Sequence, residues 1–373
     1  MRKPLIIYFQ QNPVLGATEE YLYLLLEGIG KTKFEISFIC PDDPALSPLR
    51  ERIGKLGVEV HLYSLATSNY QLIRYLCSLF HTIRPDLVHF NDPCLNGIIA
   101  ARLSGVPTLV MTHHTPELNR RYNVKGKILE KIAFRCCGLY VIFTSEYDRE
   151  TGIKKDKISM DRSFVIYYGL PPERFNHKYD RKQIYREFSL DEECRIIGNI
   201  ARLSYQKGQR YLIEAASLVI EKIKSVKFFF VGEGELESEL KARVRQSGLQ
   251  DYFVFTGYRN DIPHLLSAFE ILVMPSLFEG LCFAVIEAAA MGVPSIATKV
   301  GGLQRSVLEG RTGILIPPED PIALANAIVY LLEHPDKAKE MGLAAKKYFQ
   351  ELFTQDRMVK KTQDLYEYLL RRD

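Results

Sequence analysis

Short runs rich in β-branched and aromatic residues alternate with helical stretches along the whole chain of 373 residues. In the first half these runs predict strands at Leu5–Phe9, Glu35–Cys40, Val58–Leu62, Leu87–Phe90, Thr108–Thr112 and Leu139–Thr144. In the second half they predict strands at Arg195–Ile200, Val226–Val231, Phe253–Gly257, Ile271–Met274, Ser295–Ala297 and Gly313–Ile316. Strand–helix alternation of this kind predicts right-handed βαβ units and therefore an α/β fold with parallel sheets.

The length of the chain and one breaker cluster divide it into two domains. Two domains are the default for a chain of this size, and Gly169-Leu170-Pro171-Pro172 ends the pattern of the first half. A polar helical stretch, Arg181–Glu187, begins the second half. We therefore expect two Rossmann-like, doubly wound domains over residues 1–172 and 173–353, facing each other across a cleft, with ligands outside the carboxyl ends of the strands.

Composition excludes several classes of protein. Apolar residues make up 47% of the chain and charged residues 25%, which is ordinary for a globular enzyme and not for a disordered chain or a coiled coil. No apolar stretch reaches the roughly 18–20 residues of a membrane span, and the N-terminal MRKPLIIYFQQNP is too short in apolar residues for a signal peptide. The seven cysteines are scattered without a C-x-x-C pair, which argues against a disulfide framework or zinc site and favours a cytoplasmic protein.

The segment SLFEGLCFAVIEAAAMGVP carries two carboxylates, Glu279 and Glu287, on and just before an apolar helix. A buried carboxylate needs a partner, and no basic residue lies within one turn of Glu287. Glu279-Gly280 lies in the turn before the helix, where free N–H groups and the helix dipole favour an anion. An anion flanked by two carboxylates that bind hydroxyls is the arrangement that a sugar nucleotide needs.

Two cations, Arg202 and Lys207, follow the strand predicted at Arg195–Ile200. Cations at the carboxyl end of a parallel strand match a diphosphate, and an arginine can hold phosphate oxygens in a bidentate manner. Each residue alone is more typical of a solvated surface charge, and their common position favours a function.

Three sites of the first half are weaker candidates. Gly16 lies between strand and helix and would let the backbone approach a phosphate, but a tight turn explains it equally well. His113 and His114 end a buried strand, so only one of them can point to the binding edge. Asn91 and Asp92 end the preceding strand and are candidates to polarise an acceptor hydroxyl.

The stretch from Arg120 to Arg135 is basic and amphipathic, with Glu130 as its only acid. Such a helix can lie on an anionic membrane surface, although a solvated helix face explains the pattern better. The patch is local and no nucleic-acid-binding module is recognisable, so nucleic acid is not an expected partner.

The chain resembles glycosyltransferase family 4, the retaining sugar-nucleotide-dependent enzymes of the GT-B fold. The specific match is the E-x7-E element, Glu279 and Glu287 with seven residues between them. In family order stand GNIARLSYQKG, FVGEGEL, FTGYRNDIPHLLSAFEILVMPS, MGVPSIATKVGG and GRTGILIPPED. Weaker matches are GATE at Gly16–Glu19, the HHT after the fifth strand and VIYYGLPPERF.

The resemblance implies a role for each matching residue. It implies that Arg202 and Lys207 bind the donor diphosphate, that Glu279 holds the donor sugar and that Glu287 holds the ribose. It also implies that His114, rather than His113, lies near the reacting sugar. Further donor contacts would come from Gly16 and from the backbone of Gly280, Leu281, Cys282 and Phe283. In this family a C-terminal helix, here about residues 354–373, often returns to the first domain.

The function implied is transfer of a sugar from a UDP- or GDP-linked donor to a hydroxyl of a glycan or lipid-linked acceptor, with retention. No D-x-D motif is evident, so we expect no metal and no other cofactor. Gly16-Ala17, Gly280-Leu281-Cys282 and Arg305 depart from the usual family sequences and leave the donor sugar open. The alternatives are a nucleotide-sugar epimerase on the same scaffold and a non-catalytic nucleotide-sugar-binding subunit. A nicotinamide dehydrogenase is disfavoured because G-x-G-x-x-G is missing.

Overall fold

The computed structural model describes residues 2–13, 16–30, 33–65, 68–114 and 137–372. The chain divides into two compact units, one formed by Met1–Gly169 with Gln355–Asp373 and the other by Leu170–Thr354. The basic stretch Arg120–Arg135 lies outside the described residues.

The first unit contains a seven-stranded parallel sheet within the described residues. Its strands are β1 (Leu5–Phe9), β2 (Glu35–Pro41), β3 (Glu59–Tyr63), β4 (Leu87–Phe90), β5 (Thr108–His113), β6 (Tyr140–Phe143) and β7 (Ser163–Val165). The order is β3-β2-β1-β4-β5-β6-β7, so the direction of winding reverses between β1 and β4. The described helices are α1 (Ala17–Ile29), α2 (Ser47–Lys55), α3 (Asn69–Ile83), α4 (Leu95–Leu103) and α5 (Glu146–Thr151).

The second unit contains a six-stranded parallel sheet. Its strands are β8 (Arg195–Ile200), β9 (Val226–Val231), β10 (Phe253–Gly257), β11 (Ile271–Met274), β12 (Ser295–Thr298) and β13 (Gly313–Ile316). The order is β10-β9-β8-β11-β12-β13, with the reversal between β8 and β11. The helices are α6 (Arg181–Glu187), α7 (Gln209–Lys222), α8 (Glu237–Gln246), α9 (Ile262–Leu266), α10 (Phe283–Met291), α11 (Leu303–Ser306), α12 (Pro321–Glu333) and α13 (Pro335–Leu352).

The last helix, α14 (Gln355–Leu370), belongs to the first unit. It packs on α1 so closely that a Cβ at Gly28 would lie 2.5 Å from Cγ2 of Val359. The Tyr366 side chain is fully buried, and its hydroxyl bonds to Tyr8 at 2.8 Å and to Nδ1 of His89. The helix therefore completes the core of the unit that holds β1 and β4.

The segments that connect the two units pair with each other inside the second unit. The N–H of Leu170 donates to the carbonyl of Phe353 over 2.8 Å, and Leu170 forms a parallel bridge with Thr354. Tyr168 and Gly169 precede this crossing, and the N–H of Gly169 contacts the sulfur of Met358 at 3.2 Å in the first unit. The chain thus leaves and re-enters the second unit at adjacent positions.

Local sequence explains several helix starts. Ser68 and Gln71 form a reciprocal capping box before α3. Before α12, the Asp320 carboxylate accepts the N–H of Ala323, and Pro321 occupies the first helical position. None of the described helices is long and apolar enough to cross a membrane.

The fold predicted from the strand–helix pattern, two α/β units each built on a parallel sheet, is confirmed. The sequence did not predict β7, which has only three residues and is half-buried at its last two positions. The described cysteines are all unbridged, as the scattered spacing predicts.

Candidate active site

The strongest candidate residues of the second unit lie where the direction of winding of its sheet reverses, between β8 and β11. Arg202 and Lys207 follow β8, and Glu279 follows β11, its neighbour in the sheet. In open parallel sheets the loops at such a reversal diverge and leave a crevice at the carboxyl ends of the strands. The sequence-predicted cations and the first carboxylate are thus brought to one edge.

Lys207 and Glu279 form a buried ion pair. Nζ of Lys207 lies 2.8 Å from both carboxylate oxygens of Glu279, and the two side chains are only 15% and 9% exposed. Gln206 supports the pair, because its Nε2 donates to Glu279 Oε2 at 3.3 Å and to the Phe278 carbonyl at 3.0 Å. The two bonds to Glu279 use two of the three N–H groups of the ammonium.

Electrostatics keep Lys207 charged. Burial lowers the pKa of Lys207, but the Glu279 carboxylate, with Cys282 and the hydrogen bonds to Glu279, more than offsets burial and holds the pKa above its ordinary value. The charge of Arg202, which follows the same strand, lowers the pKa of Lys207 in part. Arg202 is exposed, and no acidic residue in the described part of the chain forms an ion pair with it. The site therefore offers one exposed and one buried cation.

Two consecutive glycines hold the backbone of Glu279. Gly301 has a φ of 44°, and a Cβ there would lie 1.8 Å from the carbonyl oxygen of Glu279. The N–H of Gly302 donates to that same carbonyl over 3.1 Å. Only glycines allow this close approach, so they fix the position of the carboxylate.

Glu287 finds a partner in a distant part of the sequence. It lies in α10 and is buried, and its Oε1 is 3.9 Å from Nη2 of Arg174. Arg174 lies in the 3-10 turn Pro172–Phe175 that opens the second unit. A buried Glu287 requires a partner, and its partner Arg174 lies in PPERF, a segment that matches the family but whose sequence does not indicate this contact.

The amino end of α10 lies directly after Glu279. Cys282 is its N-cap and makes no side-chain capping bond. Burial raises the pKa of the Cys282 thiol to about 11, with Glu279 raising it further and Lys207 lowering it. The thiol is therefore neutral at physiological pH, and Gly280–Phe283 form an amino-terminal turn without a capping side chain.

Three buried polar atoms near this edge lack partners among the described residues: Oγ of Ser204, Oε1 of Gln209 and Oγ of Ser276. Ser204 is in the loop after β8, and Ser276 is in the loop after β11. Buried polar atoms are usually hydrogen-bonded, so this edge has capacity for a polar ligand or for water.

In the first unit, the candidate residues lie at the carboxyl ends of β4, beside the reversal of winding, and of its neighbour β5. Asn91 and Asp92 follow β4, and His114 follows β5. Asn91 is buried, and its Oδ1 lies 3.4 Å from Nε2 of His114. His113 instead stacks on Phe143, with ring centroids 5.6 Å apart. As predicted for adjacent strand residues, the two histidines face different surroundings.

Asp92 has an unusual acidity. Burial raises the pKa of Asp92 to about 7, while the backbone N–H groups of Asn12 and Gln11 lower it and the Glu19 charge adds to the rise. The N–H of Asn12 lies 3.2 Å from its Oδ2. Asp92 is thus able to bind or release a proton near neutral pH.

Gly16 is the N-cap of α1, with an extended backbone. The acidic side chain at this helix end is that of Glu19: burial raises its pKa, and hydrogen bonds from Thr18, Gln10 and the backbone of Glu19 and Gly16 lower it in part. The structure therefore pairs the amino end of α1 with a residue of the protein itself. The predicted donor contact of Gly16 stays a prediction.

No group of three or more His, Cys, Asp or Glu residues within the described ranges has the arrangement of a metal site. The charged groups described at the two edges include the ion pair of Lys207, the guanidinium of Arg202 and the carboxyls of Glu287 and Asp92.

Comparison with known proteins identifies the family. Residues 18–174 match a sequence profile described as "Glycosyltransferase Family 4", and residues 194–334 match one described as "Glycosyl transferases group 1". The UDP-Gal:alpha-D-GlcNAc-diphosphoundecaprenol alpha-1,3-galactosyltransferase of Escherichia coli is 31% identical over 342 residues, which are 87% of each chain. The putative glycosyltransferase EpsD of Bacillus subtilis is 28% identical over 84% of each chain.

Solved structures agree in fold. HepE of Anabaena in complex with UDP superposes with a TM-score of 0.87 at 22% identity, covering 97% of this chain and 99% of HepE. At that identity the likeness shows the fold, and it is the GT-B fold. Because the galactosyltransferase is 31% identical over most of both chains and the two profiles match the two halves, this chain belongs to glycosyltransferase family 4.

Proposed function

We propose that the protein transfers a sugar from a nucleoside diphosphate sugar to a hydroxyl of a glycan or lipid-linked acceptor, with retention of anomeric configuration. The observation that carries the proposal is the Lys207–Glu279 pair beside Arg202 at the β8–β11 reversal. Uridine is the favoured nucleoside of the donor, since HepE was crystallised with UDP and with UDP-glucose and the name of the galactosyltransferase gives UDP-Gal as its donor.

The diphosphate would bind between the cations and the amino end of α10. Breaking the bond between sugar and phosphate places negative charge on the leaving diphosphate. Arg202, the third N–H of Lys207 and the N–H groups of the turn Gly280–Phe283 are then positioned to stabilise that charge in the transition state. In this proposal the two cations supply the charge that other transferases take from a metal ion.

The two carboxylates would bind hydroxyls of the donor. Glu279 accepts two bonds from Lys207 and a third, on Oε2, from Gln206, so Oε1 keeps a further lone pair for a sugar hydroxyl. Glu287, whose Oε1 lies 3.9 Å from Nη2 of Arg174, would accept the hydroxyls of the ribose. The Lys207 contact thereby orients Glu279 without saturating it.

On the acceptor side, Asp92 would take a hydrogen bond from the incoming hydroxyl, and His114 would lie near the reacting sugar. The sugar develops oxocarbenium character, and attack on the face that the diphosphate leaves gives retention. A phosphate oxygen of the departing group would receive the proton of the acceptor hydroxyl. Exclusion of water would limit hydrolysis of the donor.

We place the reaction at a membrane surface, on its cytoplasmic side, and the name of the galactosyltransferase, with alpha-D-GlcNAc-diphosphoundecaprenol as acceptor, supports a lipid-linked acceptor. Peripheral attachment through the basic stretch Arg120–Arg135 is part of this proposal. Binding to vesicles of anionic against neutral lipid, with and without that stretch neutralised, tests it.

The proposed function is tested by binding and turnover together. Thermal unfolding is measured with UDP, GDP and their sugars; a ligand at 100 times its Kd stabilises the folded state by about 2.7 kcal/mol. The matching sugar nucleotide is then assayed for transfer to lipid-linked and free glycans. Transfer with a retained anomer supports the proposal. An epimerised donor formed without an acceptor would instead identify an epimerase, and binding without turnover would identify a binding subunit.

A further inference from the structure

A continuous set of buried side chains links the start of α1 to His114. Glu19, Gln10, Asn91 and His114 are all less than a tenth exposed. Nε2 of Gln10 lies 2.8 Å from Oε1 of Glu19, Nδ2 of Asn91 lies 2.6 Å from Oε1 of Gln10, and Oδ1 of Asn91 lies 3.4 Å from Nε2 of His114. Each contact joins a donor to an acceptor, so the orientation of one side chain determines the orientation of the next.

The Glu19 end fixes the orientation of Gln10. Oε1 of Glu19 accepts from Gln10, and Oε2 faces the hydroxyl of Thr18 at 2.7 Å. When the acid is ionised, or carries its proton on Oε2, Oε1 is an acceptor and the amide nitrogen of Gln10 faces it. The backbone carbonyl of Asn12, 3.0 Å from the same nitrogen, imposes the same orientation on Gln10.

The orientation of Asn91 follows from two independent contacts. Its Nδ2 faces Oε1 of Gln10 and also the backbone carbonyl of Thr18 at 3.3 Å, and both are acceptors. The amide oxygen of Asn91 must therefore face His114. Because an amide oxygen cannot donate, the contact requires a proton on Nε2 of His114.

The other ring nitrogen completes the assignment. Nδ1 of His114 lies 2.7 Å from the hydroxyl of Tyr168, a group that can donate. Burial lowers the pKa of His114 to about 3, with a bond to the Asn91 backbone raising it and the His113 charge lowering it further. The ring is therefore neutral at physiological pH and carries one proton.

We infer that Asn91 is a positioning residue that holds His114 in the neutral tautomer with its proton on Nε2, so that His114 serves as a hydrogen-bond donor and not as an acid or base. The tautomer of His114 follows from the contacts above alone, whereas its role as a donor to the sugar rests on the proposed function. At 3.4 Å the bond to Asn91 is long, so the same proton is available to an oxygen of the bound sugar.

Nuclear magnetic resonance of the full chain with 15N-labelled histidine tests the tautomer. The His114 signals are assigned by their loss in His114→Gln, and long-range 1H–15N correlations at neutral pH should show a protonated Nε2 and an unprotonated Nδ1. A protonated Nδ1 of His114 in the wild-type protein overturns the inference.

Substitution of Asn91 tests its positioning role. Asn91→Leu removes the acceptor at nearly equal size, so we expect the proton to move to Nδ1, where Tyr168 can accept it. Asn91→Asp keeps an acceptor and should keep the proton on Nε2. Asn96→Leu, the same change at a residue of α4 whose amide donates to Asn69, is the control and should leave the His114 signals unchanged. An unchanged tautomer in a folded Asn91→Leu protein contradicts the role of Asn91.

The donor role is tested by kinetics. His114→Gln preserves an N–H donor and His114→Leu does not, so His114→Gln should retain at least about 10-fold more transfer in kcat, about one hydrogen bond's worth. Equal loss in both variants overturns the donor role. If no sugar nucleotide supports transfer but the Nε2 proton is found, the proposed function fails and the assigned tautomer stands.

Discussion

The ammonium of Lys207 lies 2.8 Å from each carboxylate oxygen of Glu279, across loops that follow two neighbouring strands. A buried pair of this kind stabilises little by itself, but removal of one partner leaves an uncompensated charge. This asymmetry separates a structural role of the pair from a catalytic one.

Lys207→Met should lower the free energy of unfolding by about 3–5 kcal/mol and abolish transfer, because Glu279 is left buried without its partner. Adding Glu279→Gln should restore most of the stability without restoring transfer. Denaturant unfolding and a transfer assay on both variants measure this. Lys182→Met removes an exposed pair with Glu192 and should change stability by less than about 1 kcal/mol. Wild-type turnover in the stable double variant would show that the pair is structural only.

Arg202→Ala should reduce kcat about 100- to 1,000-fold at unchanged stability, because the guanidinium is exposed and would act on the leaving diphosphate. Arg202→Lys should recover only part of the loss, since a lysine lacks the planar fork. The control is Arg243→Ala, which breaks an exposed pair with Glu239. Near-normal kcat in Arg202→Ala would remove Arg202 from the proposed site.

Gly301→Ala should destabilise the second unit more than Gly310→Ala. Both glycines have a positive φ, so both alanine variants bear backbone strain of about 1–2 kcal/mol. Only at residue 301 does a Cβ meet a backbone carbonyl at 1.8 Å, whereas no atom lies within 4 Å at residue 310. Thermal unfolding compares the two, and equal losses would show that the approach to Glu279 is not tight.

Asp92→Asn should change how stability depends on pH. The folded pKa of about 7 lies above the ordinary 3.8, so between these values the folded state binds more protons than the unfolded state. The contribution of Asp92 to the free energy of unfolding of the wild type therefore falls as pH rises from about 4 to 7, and it is constant above pH 7. The stability of the Asp92→Asn variant relative to the wild type should grow across that window, by at most about 1.4 kcal/mol per pH unit. A difference that does not vary with pH would refute the raised pKa of Asp92.

Tyr366→Phe should destabilise the first unit by about 1–3 kcal/mol, because the fully buried hydroxyl bonds to Tyr8 and to Nδ1 of His89. Tyr368→Phe, on the same helix but 48% exposed, should have little effect. Chemical denaturation of both variants measures the difference. Equal stabilities would mean that the hydroxyl of Tyr366 contributes nothing to holding α14 in place.

The sequence predicted the strands well because each is short, apolar and bounded by turn residues; Leu5–Phe9 and Ile271–Met274 have the predicted limits. The sequence also predicted that Lys207 and Glu279 lie at one edge of the sheet, because the carboxyl ends of parallel strands lie at a common edge. Contacts between distant residues could not be predicted. No periodicity indicates that Arg174 approaches Glu287, or that Gly301 packs on the backbone of Glu279.

The first-half site shows the same limit more clearly. The sequence put Asn91 at the acceptor edge, where its strand ends, and the structure buries it among Gln10, Thr18 and His114. Glu19 was part of the family-like GATE segment but had no assigned role. Its contact with Gln10 depends on the turn between β1 and α1, which pattern alone does not define.

The return of α14 to the first unit sets an order for biosynthesis. Residues 170–354 form the second unit without interruption, so a nascent chain holds that unit in full while α14 is still within the ribosome. The first unit, although translated earlier, exposes Tyr8 and His89 until Tyr366 emerges. The half made first is therefore the half finished last, and during that interval it is the part of the nascent chain that chaperones have most reason to protect.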